Sequence, residues 1–89
     1  MTATLRFWAA AREAAGAAEE TVGAATLGAA LDEAVLRRGG DEGGGAELRR
    51  VLGRSSVLLN GVQVGRADRA ALPLPDGAVV EILPPFAGG

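Results

Sequence analysis

The sequence predicts an α+β fold: a mixed sheet of four to five strands, with one main helix across one face and a short second helix. Three stretches carry that reading. Ala3 to Ala9 alternates between large apolar and other residues, Leu27 to Arg38 repeats apolar residues at helical spacing, and Ala78 to Leu83 alternates again after a Pro75-Asp76-Gly77 turn. A strand pair, then a helix, then further strands reads as a sheet covered on one side. At 89 residues the chain has room for one such domain. The expected division is a body of residues 1–83 and a flexible tail of residues 84–89.

Taken in order, Ala3, Leu5, Phe7 and Ala9 share one face of the first strand, and Thr4, Arg6 and Trp8 share the other. The stretch after it turns small and polar, with Gly16 as a breaker. Glu20 to Val22 is β-prone and is expected to pair back on the first strand. Thr26 has the chemistry of a helix N-cap. Leu27, Ala30, Leu31, Ala34, Val35 and Arg38 then recur on one helical face. Arg37 and Arg38 complement the carbonyl end of that helix, and Gly39-Gly40 stop it. Gly28 weakens its start by up to ~1 kcal/mol relative to Ala. Residues 39–45, GGDEGGG, read as a flexible surface loop; they lack the GxxxxGK[ST] pattern of a phosphate cradle.

Ala46 to Gly53 reads as a short helix anchored by Leu48, Val51 and Leu52. Asn60-Gly61 between apolar runs is a hairpin signal, because both residues accept positive φ. Residues 65–77 cross loop-like, with Leu72 and Leu74 as anchors. In the last strand Val80 and Ile82 point one way, and Val79, Glu81 and Leu83 point the other. Pro84-Pro85 end it, since neither residue donates to a ladder. If the first and last strands pair centrally, the helix between them makes a right-handed crossover. That arrangement is the β-grasp, or ubiquitin-like, roll.

Composition excludes several chemistries. The chain has no Cys and no His, and all nine basic residues are Arg. It therefore offers no thiolate, no cysteine or imidazole metal ligand, no side chain with an ordinary pKa near neutrality, and no Schiff-base or P-loop lysine. No metal site is expected, and an independent enzyme is not the expected function. The net charge of −2 and the absence of a basic stripe interleaved with aromatics argue against nucleic acid. No apolar run has the length of a membrane span, and no secretory signal opens the chain, so the expected location is cytoplasmic.

The ending, ILPPFAGG, holds the main functional signal. Pro84-Pro85 favour an extended exit, and the six residues to Gly89 span at most ~20 Å. Gly88 and Gly89 have no Cβ and can thread a channel only a backbone wide. The carboxylate of Gly89 stands on that thread, away from the body.

The chain resembles the MoaD/ThiS family of ubiquitin-like sulfur carriers. It is most like the MoaD branch, the small subunit of molybdopterin synthase. Three blocks carry the resemblance: LRFWAAAREAAG from Leu5 to Gly16, VLLNG from Val57 to Gly61, and LPDGAVVEILPPFAGG from Leu74 to Gly89. The resemblance implies a carrier and not a catalyst. A ubiquitin-activating-like adenylyltransferase would use ATP to adenylate the Gly89 carboxylate. A sulfur donor protein, of cysteine desulfurase or rhodanese type, would turn the acyl-adenylate into a thiocarboxylate. The charged tail would then enter the molybdopterin synthase large subunit and pass its sulfur to a pterin precursor. No cofactor would be bound by the chain itself.

Site residues follow from both readings. Gly89 carries the chemistry, and Gly88 lets the backbone pass and bend. Phe86, with Ala87, either anchors in a partner pocket or folds back on its own domain. Pro84 and Pro85 stiffen the exit. Trp8, with Leu58, Leu83 and Val79, forms an apolar patch on the open side of the sheet or packs beneath a local loop. Arg12 matches an Arg in the family's first loop, where it would contact the activating enzyme; a solvated Arg is the alternative. Other outcomes stay open here: a carrier for thiamine thiazole, cysteine or a secondary metabolite, a protein modifier joined to lysines through Gly89, or an interaction domain with an inert tail.

Overall fold

A computed structural model describes residues 2–85. Strand β1 spans Ala3–Phe7, helix α1 Ala9–Ala15, strand β2 Glu19–Val22, helix α2 Leu27–Leu36 and helix α3 Gly45–Arg54. Strands β3 (Ser56–Leu59), β4 (Val62–Gln63) and β5 (Ala78–Leu83) follow, with a 3-10 turn at Arg66–Asp68 before β5. The sheet order is β2-β1-β5-β3-β4. β1 and β5 run parallel at the centre, with Ala3 opposite Ala78 and Phe7 opposite Ile82. The other pairs are antiparallel. This is the roll expected from the sequence.

Alternation decides which face is covered. Leu5, Val57, Val80 and Ile82 are fully buried beneath the helices together with Leu27, Val35, Leu48 and Val51. Each such side chain contributes about 1.5–3 kcal/mol when fully removed from water. The opposite parity of β5, namely Val79, Glu81 and Leu83, remains half-exposed, as does Leu58 on β3. The sheet therefore has one packed face and one open face.

The caps and turns follow from particular side chains. Thr26 Oγ1 accepts from the Ala29 amide at 3.2 Å, as expected of an N-cap. Asn60 at φ 48° and Gly61 at φ 84° make the hairpin turn between β3 and β4. The Asn60 side chain also accepts from the Val79 amide at 2.9 Å, tying the turn to β5. At Gly28 an added Cβ would lie 2.7 Å from the Ala70 carbonyl oxygen and 2.9 Å from the Ala70 Cα. The 65–77 crossing is held against the start of α2 by Leu27 N–H to Leu72 O and by Leu74 N–H to Ala25 O. The weak start of α2 is thus the condition for that close approach.

Three sequence expectations are corrected. The small, polar stretch after β1 is a helix, α1, because AAAREAA is rich in strong helix formers. Gly16 is a breaker as expected: it is the left-handed C-cap that ends α1, and its amide donates to Arg12 O. Ala9 does not continue the face of β1; it is exposed, at φ 50°, where the strand becomes a helix. Residues 39–44 lie at the surface, as expected, but form tight turns and not a loose loop, and Gly45 already opens α3. Gly45 is buried, and an added Cβ there would collide with the Val35 carbonyl and come within 2.8 Å of Gly40 O. Arg49 pins the same segment through Asp41 at 2.9 Å and Asp32 at 2.8 Å, and bonding to Asp41 chiefly raises its pKa.

Arg38 becomes a hub. Its guanidinium pairs with Glu20 on β2, donates to Ala15 O and to Ala34 O at 2.7 Å each, and lies 5.7 Å from the centroid of the Phe7 ring. Both members of the Arg38–Glu20 pair are largely covered, so the pair is screened less than a surface one. It joins the ends of α1 and α2 to the β1–β2 edge.

Candidate functional site

β5 is the strand from which the tail leaves, and the register fixes what surrounds that exit. Because β1 runs parallel to β5, its C-terminal end lies at the same end of the sheet; Trp8 N–H donates to Ile82 O at 3.1 Å. Because β3 runs antiparallel, its first residue, Ser56, stands opposite Leu83. The exit is therefore flanked by the β1–α1 junction on one side and by the end of α3 on the other. Pro84 is buried and Pro85 is exposed. Phe86, Ala87, Gly88 and Gly89 lie outside the described residues.

Trp8 occupies the N-cap position of α1 in extended backbone and is 48% exposed. Its indole N–H donates to Glu81 Oε2 at 3.2 Å. Glu81 stands on the open face between Arg6 of β1 and Leu58 of β3. The open face at this end thus holds Trp8, Leu83 and Leu58 with a carboxylate among them, and Val79 lies further along the same strand. The sequence reading placed Trp8, Leu58 and Leu83 on one face, and the register does bring them to one face. It missed Glu81, whose alternation marked it only as outward-facing.

Arg12 lies on α1, exposed. A hollow of ≈ 260 Å³ beside the exit is lined by Arg6, Phe7, Trp8, Arg12 and Glu19 among others. It places Arg12 next to Trp8, while Leu58 stands across β5. The walls of the hollow are tied by Arg6 and Glu19, 3.4 Å apart. Arg12 makes no ion pair among the described residues. α1 is the device that positions it: the helix starts one residue after Trp8 and carries Arg12 one turn on.

No group of three or more His, Cys, Asp or Glu able to hold a metal occurs among the described residues. No helix among them is long and apolar enough to cross a membrane. Apolar and charged groups are instead gathered around the point where a strand hands over to the tail.

Known proteins share this chain's pattern. The model of the ThiS family matches residues 5–89. No curated protein sequence matches the chain. Among solved structures, the HVO 2177 protein of Haloferax volcanii is similar at 32% identity, covering 100% of this chain and 87% of that one, with a TM-score of 0.72. A complex of subunits 1 and 2 of molybdopterin-converting factor from Helicobacter pylori matches at 25% identity over 100% of both chains, with a TM-score of 0.66. SAMP1 from Haloferax volcanii matches at 24% identity over 100% of both chains, with a TM-score of 0.74, which shows the shared β-grasp fold.

Proposed function

The chain belongs to the ThiS family of ubiquitin-like sulfur carriers, and we propose that it carries sulfur on the carboxylate of Gly89 for molybdopterin synthesis. One observation carries this reading: the family match runs through residue 89, taking in the Pro-Pro-Phe-Ala-Gly-Gly segment that β5 leads into. The small-subunit role is supported by the Helicobacter pylori likeness, a structure of two molybdopterin-converting factor subunits in complex.

The chemistry asks little of this chain's side chains. A carboxylate resists acyl transfer because its leaving group is poor. Attack of the Gly89 carboxylate on ATP, on a ubiquitin-activating-like adenylyltransferase, releases pyrophosphate and gives an acyl-adenylate. The outer sulfur of a donor persulfide then attacks the carbonyl and AMP departs, leaving an acyl disulfide; a second thiol attacks the donor's sulfur, forms a disulfide with it, and releases the thiocarboxylate. The sulfur rides on the backbone, so the carrier needs no cysteine. The molybdopterin synthase large subunit would supply the catalytic side chains for the next transfer. The chain's own parts bind and present: Trp8, Leu58, Leu83 and Arg12 orient partners, and β5 leads directly into the segment that ends at Gly89.

Intact-mass spectrometry tests this. Protein from cells with a sulfur-mobilising system is expected to show a species heavier by one oxygen-to-sulfur exchange, mapped to Gly89. Adducts on lysines of other proteins, with no such species, would make the chain a modifier instead. Transfer of the sulfur to a thiamine or cysteine precursor, and not to a pterin, would move it to another pathway.

A further inference from the structure

We propose that the β3 side of the tail exit is a cationic docking flank, formed by Arg54, Arg66 and Arg69, for an acidic surface of the protein that activates Gly89. The inference rests on the carrier reading above.

The arginines divide in two. Arg6, Arg37, Arg38, Arg49 and Arg50 form ion pairs with carboxylates. Arg12, Arg54, Arg66 and Arg69 form none among the described residues. The register places those four at one end of the molecule. Arg12 follows β1, whose end lies beside the end of β5. Arg54 closes α3, immediately before the strand whose Ser56 faces Leu83. After β4 the chain returns toward that same end, as the Val64 N–H to Val57 O bond shows.

The heads of Arg66 and Arg69 are fixed there. Arg66 donates to Gly53 O, and Arg69 donates to Leu52 O at 3.3 Å and to Ser55 O at 2.6 Å. These are the terminal carbonyls of α3, whose partial negative charge favours a cation without cancelling it. The two cations also feel one another: burial first, and then the charge of Arg66, lower the Arg69 pKa. Asp68 shares their turn and makes no ion pair among the described residues, and Glu13 follows Arg12 on α1. On the β3 side the three arginines outnumber the carboxylates, Asp68 in their own turn and Glu81, which stands opposite Leu58 and is bonded by the Trp8 indole. An overall charge of −2 means that acid predominates elsewhere on the chain.

Such an asymmetry orients encounter. An acidic partner surface meets paired arginines over the rest of the body and unpaired ones at the end from which the tail leaves. Charge complementarity of this kind acts mainly on association rate and on the choice of partner. No aromatic side chain interleaves with the three arginines in sequence, which sets the flank apart from a nucleic-acid surface.

The test uses the full chain with an adenylating enzyme of the ubiquitin-activating type from the same genome, following pyrophosphate release. Arg54→Glu is the main variant, because Arg54 is exposed and makes no side-chain bond among the described residues. Arg66→Gln is the second variant. Arg50→Glu, at an exposed arginine already paired with Glu47, is the control. Thermal melts confirm folding. The expected result is a rise in the KM for the carrier on the order of tenfold when Arg54→Glu and Arg66→Gln are made together, with kcat unchanged. Added salt should raise the wild-type KM and leave that of the variant nearly flat. A carrier KM equal to those of wild type and Arg50→Glu overturns the proposal. A shift in the KM for ATP in place of the carrier also overturns it, by assigning the arginines to the nucleotide. Failure of the wild-type chain to be adenylated at all overturns the carrier reading, a result distinguishable from either.

Discussion

The close approach at Gly28 makes a prediction whose sign opposes helix propensity. Alanine in place of glycine within a helix is favoured by about 0.8–1.0 kcal/mol. At Gly28, however, the new Cβ would stand 2.7 Å from Ala70 O, 2.9 Å from its Cα and 3.1 Å from its carbonyl carbon. All three are backbone atoms, and their segment is held by the Leu27–Leu72 and Leu74–Ala25 hydrogen bonds, so it cannot swing aside cheaply. Overpacking of this kind costs about 1–3 kcal/mol. The net expectation for Gly28→Ala is a loss of about 1 kcal/mol, read as a fall in Tm of about 4–8 °C for a domain of this size. Gly53 provides the internal comparison. It lies in α3 with nothing within 4 Å of its would-be Cβ, so Gly53→Ala should gain about 0.5 kcal/mol. Urea unfolding of both variants, at equal m-value, measures the pair. A Gly28→Ala protein more stable than wild type would refute the reasoning, since it would mean the crossing yields freely.

Other outcomes follow from single contacts. Asn60→Ala should cost about 1–3 kcal/mol, combining a left-handed residue with a Cβ and an unmade bond to Val79, and Asn60→Gly should recover the backbone part in the same urea assay. Glu20→Gln should cost about 1–3 kcal/mol in denaturant unfolding by leaving a largely covered Arg38 without its counter-charge, whereas Glu47→Gln, at an exposed pair, should cost under about 0.5 kcal/mol. The fluorescence of Trp8, the sole tryptophan, should shift to the blue when a partner covers the open face; an unchanged spectrum in a saturated complex would place docking elsewhere. Deleting Gly89 should abolish charging by mass spectrometry while leaving Tm within a degree or so, as residual effects at termini are small.

Sequence legibility followed side-chain contrast. Ala78 to Leu83 alternates large apolar residues with other positions, and its register could be anticipated residue by residue. The α3 stripe of Leu48, Val51 and Leu52 was equally plain. In α1 the contrast vanishes: alanine is apolar but small, only Ala11 is buried among its residues, and Gly16 serves as a helix cap as readily as a turn. The packing of residues 39–45 was hidden for a related reason, since glycines chosen for close approach look the same as glycines chosen for freedom. At the site, Trp8, Leu58 and Leu83 were legible through parity alone. The roles of Arg66 and Arg69 were not, because each acts across more than a dozen positions on carbonyls that carry no side-chain signature.

The central position of β5 has a kinetic corollary. The β1–β2 and β3–β4 pairs share no ladder with one another; they become one sheet only when β5 slides between them, making a parallel contact with β1 that no short loop can provide. Closing so long a stretch of chain is entropically slow and is deferred until late in folding. A half-made molecule would expose two raw sheet edges with nothing to seal them. The strand that completes the globule is also the one that runs into the last residues of the chain, so on the carrier reading the body must be finished before a partner meets Gly89 in its folded setting.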